Sequence, residues 1–214
     1  MEYVMNEGKR YEMPPQQKKK AVVCIGRFNP PTKGHGKVIN TARKSYRDDS
    51  MDAIVVVVIE GTNTSKDKQR NPLTGVQRIR YLEMSTYGRG VKYLLATNAY
   101  EALLKVRQAG YEPMTVVGGV IRDDAGEVAE DRAGTYIGML DKYFKTPDDQ
   151  AIEHKAIRLE RDPNADDVTG VSGSVARAAV VAGLYDDFRD MVSIDDEDIV
   201  RKMFHDIKDS ISEG

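Results

Sequence analysis

Runs of β-branched residues that alternate with helical patterns predict an α/β fold, a Rossmann-like open five-stranded parallel sheet with helices on both faces. Three observations carry this. The strand-like runs are uninterrupted and apolar, as in strands covered on both faces. Capping signatures open several of the segments between them. The chain, at 214 residues, is long enough for one sizeable core and short for two.

In chain order, Ala21–Gly26 (AVVCIG) is the first strand. His35–Tyr46 follows as a helix, with Val38, Ile39 and Ala42 on one side and Lys37, Lys44 and Arg47 elsewhere. Ala53–Ile59 (AIVVVVI) is the second and strongest strand. Thr74 with Gln77 three residues later, just after Pro72, forms a capping box that opens a helix over Gly75–Thr86. Val91–Leu95 is the third strand. Asn98 and Glu101 open the next helix, Ala99–Ala109, which Gly110 stops. Met114–Val117 is the fourth strand, and Ala151–Leu159, with polar interruptions, the fifth. Residues 1–20 are expected to be a flexible basic arm, 21–192 the single domain, and 193–214 an acidic final helix with Ser193 as N-cap. No internal repeat and no second hydrophobic core is visible.

Composition excludes several classes. Hydrophobic residues make up 40% and charged residues 31% of the chain, the balance of an ordinary soluble globular domain. With no Trp and only 4 Phe, the core must be built from Val, Ile, Leu, Ala and Met. A single Cys, Cys24, excludes a disulfide scaffold and suits a reducing compartment, so the cytoplasm is the expected location. No apolar run approaches the ~20 residues needed to cross a bilayer, and the polar, Pro-bearing opening does not read as a signal peptide. The net charge of −2 argues against a chain-wide basic surface for a nucleic-acid polymer. That balance hides an uneven distribution: residues 1–47 hold eleven Lys/Arg against three Glu, and residues 186–213 hold ten Asp/Glu against four Lys/Arg.

In open parallel sheets ligands bind beyond the carboxyl ends of the strands, where the winding direction reverses. The first strand runs there into Gly26-Arg27-Phe28-Asn29-Pro30-Pro31-Thr32-Lys33-Gly34-His35. Two prolines stiffen this turn, and Gly26 and Gly34 let a ligand approach the backbone. His35 opens the next helix, where unpaired N–H groups and the positive dipole end attract anions, and Arg27, Lys33 and Lys37 add charge. This is the chemistry of a phosphate site. Neither Gly-x4-Gly-Lys-Ser/Thr nor Gly-x-Gly-x-x-Gly occurs, which argues against a P-loop or dinucleotide-binding enzyme.

The segment resembles the signature Gly-x-Phe-x-Pro-x-His/Thr-x-Gly-His of the nucleotidyltransferase superfamily of adenylyl- and cytidylyltransferases. Gly-Arg-Phe-x-Pro-Pro is most similar to nicotinamide mononucleotide adenylyltransferases, and Thr32 at the first motif position to phosphopantetheine adenylyltransferase. A second family signature, Ile-Ser-x-Thr-x-x-Arg, is matched by Val171-Ser172-Gly173-Ser174-Val175-Ala176-Arg177. Arg161-Asp162-Pro163-Asn164-Ala165-Asp166-Asp167 is similar to phage-encoded members, which makes a viral origin and the host cytoplasm the expectation.

The resemblance implies transfer of a nucleoside monophosphate, AMP from ATP ahead of CMP from CTP, to a small phosphorylated acceptor such as a mononucleotide, with release of pyrophosphate. Thr32, His35 and Arg177 would be catalytic: His35 at the α-phosphate, Thr32 holding a phosphate through its hydroxyl, Arg177 with Arg27 neutralising the departing phosphates. Gly26, Phe28, Asn29, Lys33, Gly34, Gly118, Ser172 and Ser174 would complete the nucleotide site. Mg²⁺ would arrive with the nucleoside triphosphate, with no dedicated protein metal site. Lys66, with Lys68, Arg70 and Arg78, would receive the acceptor. Relatives are often homo-oligomers, so a second copy of the chain is among the implied partners. Val117-Gly118-Gly119 resembles the family's Val-Gly-Gly/Ser-Asp, but Val120 stands in the acidic position, with Arg122 or Asp123 as displaced substitutes.

Two other readings stay open on sequence alone. One is a nucleotide-binding or structural protein that kept the fold and lost the chemistry, which Thr32 and Val120 feed. The other is nucleic-acid binding through the basic first quarter, which lacks interleaved aromatics for stacking bases. His154 and His205 have no paired ligand spacing, so zinc is not expected.

Overall fold

The computed structural model describes residues 3–6, 9–12, 18–61, 66–122, 127–144, 152–160 and 171–213. Within the expected arm, β1 (Tyr3–Asn6) and β2 (Lys9–Glu12) pair as an antiparallel hairpin, and Lys19 and Lys20 already belong to β3 (Lys19–Gly26). The remaining elements in order are α1 (Lys33–Asp48), β4 (Ala53–Ile59), α2 (Gly75–Met84), β5 (Lys92–Ala96), α3 (Ala99–Gln108), β6 (Tyr111–Arg122), β7 (Val128–Asp131), α4 (Arg132–Tyr143), β8 (Lys155–Glu160), α5 (Gly173–Val181), α6 (Tyr185–Met191) and α7 (Glu197–Ser212).

Five parallel strands run in the order β5-β4-β3-β6-β8. The winding reverses between β3 and β6, so the crevice lies above Gly26 and Gly118. A sixth strand, β7, adds antiparallel to β6, pairing Val120 with Asp131. Its edge is the one β3 leaves free, because β3 pairing ends at Val117 while β8 occupies the opposite edge through Val120. The fourth strand is therefore much longer than Met114–Val117, and its extension carries a hairpin above the sheet.

Alternate residues of β3 and β4 feed opposite faces, as a period of two requires. Val22, Cys24, Ile54, Val56 and Val58 pack with Ile39 and Ala42 of α1 and Leu82 of α2. Ala21, Val23, Ile25, Val55 and Val57 pack with Ala102, Leu103 and Val106 of α3 and Leu140 of α4. Complete burial of each such Val or Ile is worth ~1.5–3 kcal/mol. The expectation of a single core is corrected by a third cluster, in which α5, α6 and α7 gather Ala176, Val180, Phe188, Met203, Phe204 and Ile207 against Leu73 and Tyr81.

The capping readings at Thr74 and Asn98 hold: Thr74 accepts from the Gln77 N–H and Asn98 from the Glu101 N–H. Gly110 follows α3 at φ +85, the left-handed conformation a helix stop needs. The last helix begins later than expected. Asp196, not Ser193, caps α7 by accepting from the N–H groups of Asp198 and Ile199. The Ser193 carbonyl instead accepts from the Thr86 N–H at 2.8 Å, and Val192 and Ile194 are buried, so this stretch is held extended against the body.

Candidate active site

Above the switch point lies a cleft of about 240 Å³. The β3–α1 loop lines it with Gly26, Arg27, Phe28, Asn29, Gly34 and His35; β6 contributes Gly118; the start of α5 contributes Ser172, Ser174 and Arg177. Ten of the residues expected at a nucleotide site thus share one wall or another of the same space, and Lys37 joins them.

The loop is held from below. The Asn29 side chain donates to the Leu73 carbonyl at 3.0 Å and accepts from the Leu73 N–H at 3.2 Å, fixing it to the turn before α2. Phe28 adopts φ +50, and its buried ring lies 5.0 Å from that of His35. On the other side, Arg177 donates to the Asn29 carbonyl at 2.5 Å. Gly173 makes this contact possible: a Cβ there would lie 2.6 Å from the same carbonyl oxygen.

His35 is the N3 residue of α1, whose N-cap is Thr32. The Thr32 N–H donates to His35 Nδ1 at 3.1 Å. At the second helix, the Ser172 hydroxyl caps α5 by accepting from the Val175 N–H and lies 2.8 Å from the Ser174 hydroxyl. Two helix N-termini therefore border one cleft, each with a partial positive charge of about half a unit. Burial holds the Arg177 guanidinium below its ordinary pKa, and the neighbouring Arg27 and Arg70 push it further down. A polyanion in the cleft would relieve the destabilised Arg177 guanidinium.

Several expected ligands stand elsewhere. Thr32 is fully buried behind His35, and Lys33 faces a separate groove on the outer side of α1 with Lys44, Thr86 and Ser193. Lys66 is exposed and lines neither the cleft nor its neighbour. The acceptor role expected of Arg78 is corrected by its burial, at 1% exposure. Its guanidinium donates to the carbonyls of Arg27 at 2.6 Å, Ile59 at 2.8 Å and Thr74 at 3.2 Å, and lies 3.6 Å from Glu60. It ties together the ends of β3 and β4, and burial pulls its pKa down to about 10. Asp123 and the Arg161–Asp167 stretch lie outside the described residues, as does the Arg122 side chain.

Other residues enter that the sequence reading did not assign to the nucleotide. Arg70 and Asn71 line the cleft from the loop before α2. Arg132, the first residue of α4, lines both the cleft and a second cavity of about 330 Å³, and forms a two-point pair with Glu130 at 2.6 and 3.3 Å. Val120 is buried in mid-strand, but the residue across from it on β8 is Glu160, which brings a carboxylate to the cleft. Glu160 follows an ordinary strand pattern and has no sequence signal of its own. Among the described residues no group of three His, Cys, Asp or Glu could hold a metal ion.

The cytidylyltransferase-like family model matches residues 23–135, more than half of the chain. The chain belongs to the cytidylyltransferase-like family. No curated protein matches this cytidylyltransferase-like chain. Among solved structures, the macrolide-efflux protein from Streptococcus pneumoniae is similar at 20% identity and a TM-score of 0.52, over 82% of this chain and 56% of that one. TmcAL from Thermotoga maritima, bound with alpha-thio ATP, is similar at 14% identity and 0.50, over 91% of this chain and 56% of that one. Nicotinic acid mononucleotide adenylyltransferase from Plasmodium falciparum, complexed with NaAD, aligns at 18% identity and 0.49, over 86% and 95%. The first two share the fold, and the chain spans little more than half the length of either. Among the described residues no helix is long and apolar enough to cross a membrane.

Proposed function

We propose that the chain transfers AMP from ATP to a small phosphorylated acceptor such as a mononucleotide, releasing pyrophosphate. One observation carries the reading: His35, Arg27, Arg70, Arg177 and the N-termini of α1 and α5 converge on a single cleft at the switch point of the sheet. The triphosphate spans the two helix N-termini. An oxygen of the acceptor phosphate attacks the α-phosphorus, the bond to the bridging oxygen breaks, and pyrophosphate leaves against the guanidiniums. His35, held at Nδ1 by Thr32, donates from Nε2 to an α-phosphate oxygen as charge builds there. No covalent intermediate is needed, so positioning and charge stabilisation supply the rate. A divalent ion would arrive with the triphosphate and supply charge neutralisation there.

Glu160 accepts from the exocyclic amine of the base, which favours adenine or cytosine over uracil. ATP as donor agrees with the nucleotide analogue bound to TmcAL. The acceptor occupies the second cavity, which shares Gly26, Arg27 and Arg132 with the cleft and is floored by Ile59, Tyr136 and Met139. Its phosphate lies between Arg27 and Arg132.

Pyrophosphate release from each of the four ribonucleoside triphosphates, across a panel of phosphorylated acceptors, tests this. Release with ATP that His35→Ala abolishes is the expected result. The same background from wild type and His35→Ala with every acceptor would overturn it.

A further inference from the structure

Thr32 matches a phosphate-binding motif position, yet no substrate can reach it in this fold. It is fully buried, and each of its polar atoms is engaged. Its carbonyl accepts from the N–H groups of His35 and Gly36 at 2.9 and 3.1 Å and from the Tyr87 hydroxyl at 3.2 Å. Its N–H donates to His35 Nδ1 at 3.1 Å. Its hydroxyl lies 2.9 Å from that nitrogen and 3.3 Å from the Val171 carbonyl.

A backbone N–H can only donate, so Nδ1 must present its lone pair and the neutral ring carries its hydrogen on Nε2. The hydroxyl hydrogen is shared between Nδ1, the nearer acceptor, and the Val171 carbonyl, so the side chain is a second donor that holds the Nδ1 lone pair in place beside the N–H. Val171 directly precedes Ser172, the N-cap of α5. Thr32 therefore touches the working histidine of one helix N-terminus and the backbone that leads into the other.

We propose that Thr32 is a positioning residue: through His35 and Val171 it fixes the Nε2–H tautomer and the spacing of the two helix N-termini, without contacting the nucleotide. Its kinetic consequences rest on the nucleotidyl-transfer reading; its effect on the ring does not. The β-branched stem restricts the rotamers open to the hydroxyl, and Ser retains the hydroxyl where Val removes it.

Histidine-¹⁵N spectra of the ligand-free chain read the tautomer directly. In wild type and Thr32→Ser, Nδ1 of His35 is expected as the unprotonated nitrogen, whereas Thr32→Val gives a mixture. A wild-type Nδ1–H tautomer, or a Thr32→Val ring identical to wild type, would overturn the proposal whether or not the protein turns over. In the pyrophosphate assay Thr32→Val is expected to lower kcat about tenfold or more with the KM for triphosphate within about twofold, and Thr32→Ser to restore most of it. A raised KM at unchanged kcat would make Thr32 a phosphate ligand and overturn the proposal equally.

Discussion

Gly173→Ala tests whether the spacing between the β3–α1 loop and α5 governs the chemistry. The new Cβ would lie 2.6 Å from the Asn29 carbonyl oxygen and 3.3 Å from Arg177 Nη1, where ordinary contact begins at 3.4 Å. The two backbones must therefore part by about 0.8 Å. Asn29 cannot give way easily, because both ends of its side-chain amide are tied to Leu73. The start of α5 moves instead, carrying Ser172, Ser174 and Arg177 away from His35 and breaking the Arg177–Asn29 hydrogen bond. Overpacking of this kind costs ~1–3 kcal/mol of stability, and misplacement of reacting groups by ~1 Å costs ~10²-fold in rate. Pyrophosphate release is expected to fall on that scale while thermal denaturation still shows a folded protein. Gly138→Ala serves as the control, since a Cβ there meets nothing within 4 Å and Ala favours the helix by up to ~1 kcal/mol. A folded Gly173→Ala protein with wild-type kcat/KM would show that this spacing does not govern the chemistry.

Three further outcomes are expected. Arg78→Met removes the donor shared by the Arg27, Ile59 and Thr74 carbonyls and leaves Glu60 behind, so urea denaturation should show a loss of ~3–5 kcal/mol; a loss below ~1 kcal/mol would refute the clamp. His154 of β8's leading segment faces Glu112 of β6 at 3.8 Å and Asp141 of α4 at 3.0 Å, with Arg107 of α3 and Lys18 on the far side of Glu112 and Lys155 and Glu153 adjacent in sequence. Glu112 above all, with Asp141, raises the His154 pKa above its ordinary value. A raised folded-state pKa gives stability that is complete below ~6.5 and is lost as pH climbs through the folded value. Wild type should therefore lose stability relative to His154→Gln as pH rises above about 6.5, and parallel curves would contradict this. Cys24 is fully buried in β3, where burial pushes its thiol up to about 12. It should resist a disulfide reagent at pH 8 until the protein is unfolded, and fast labelling of the native state would show that β3 opens.

Much of this arrangement could be read from local chemistry. The capping pairs Thr74/Gln77 and Asn98/Glu101 and the stop at Gly110 depend on neighbouring residues alone, so the helix starts were visible. The motif loop was visible because two prolines, two glycines and a histidine in ten residues have few structural uses. What escaped was set by tertiary contacts. β7 is four residues, VAED, with no apolar run to announce it, and it forms because β6 outlasts β3 at that edge. Ser193 and Asp196 are equally good caps, and burial of Val192 and Ile194 decides between them. Arg78 looks like a ligand by type, and only its three carbonyl partners show that it is part of the frame. Glu160 reaches the cleft through strand register alone.

The cleft between α1 and α5 is expected to bind a nucleoside triphosphate through its guanidiniums. Calorimetric titration of Mg²⁺ and ATP into wild type and an Arg27→Ala/Arg177→Ala double variant, both verified as folded, tests it most directly. Saturable one-to-one binding to wild type, weakened at least ~100-fold in the double variant, is the predicted result. Equal affinity in the two proteins, or no binding to wild type, would contradict the account.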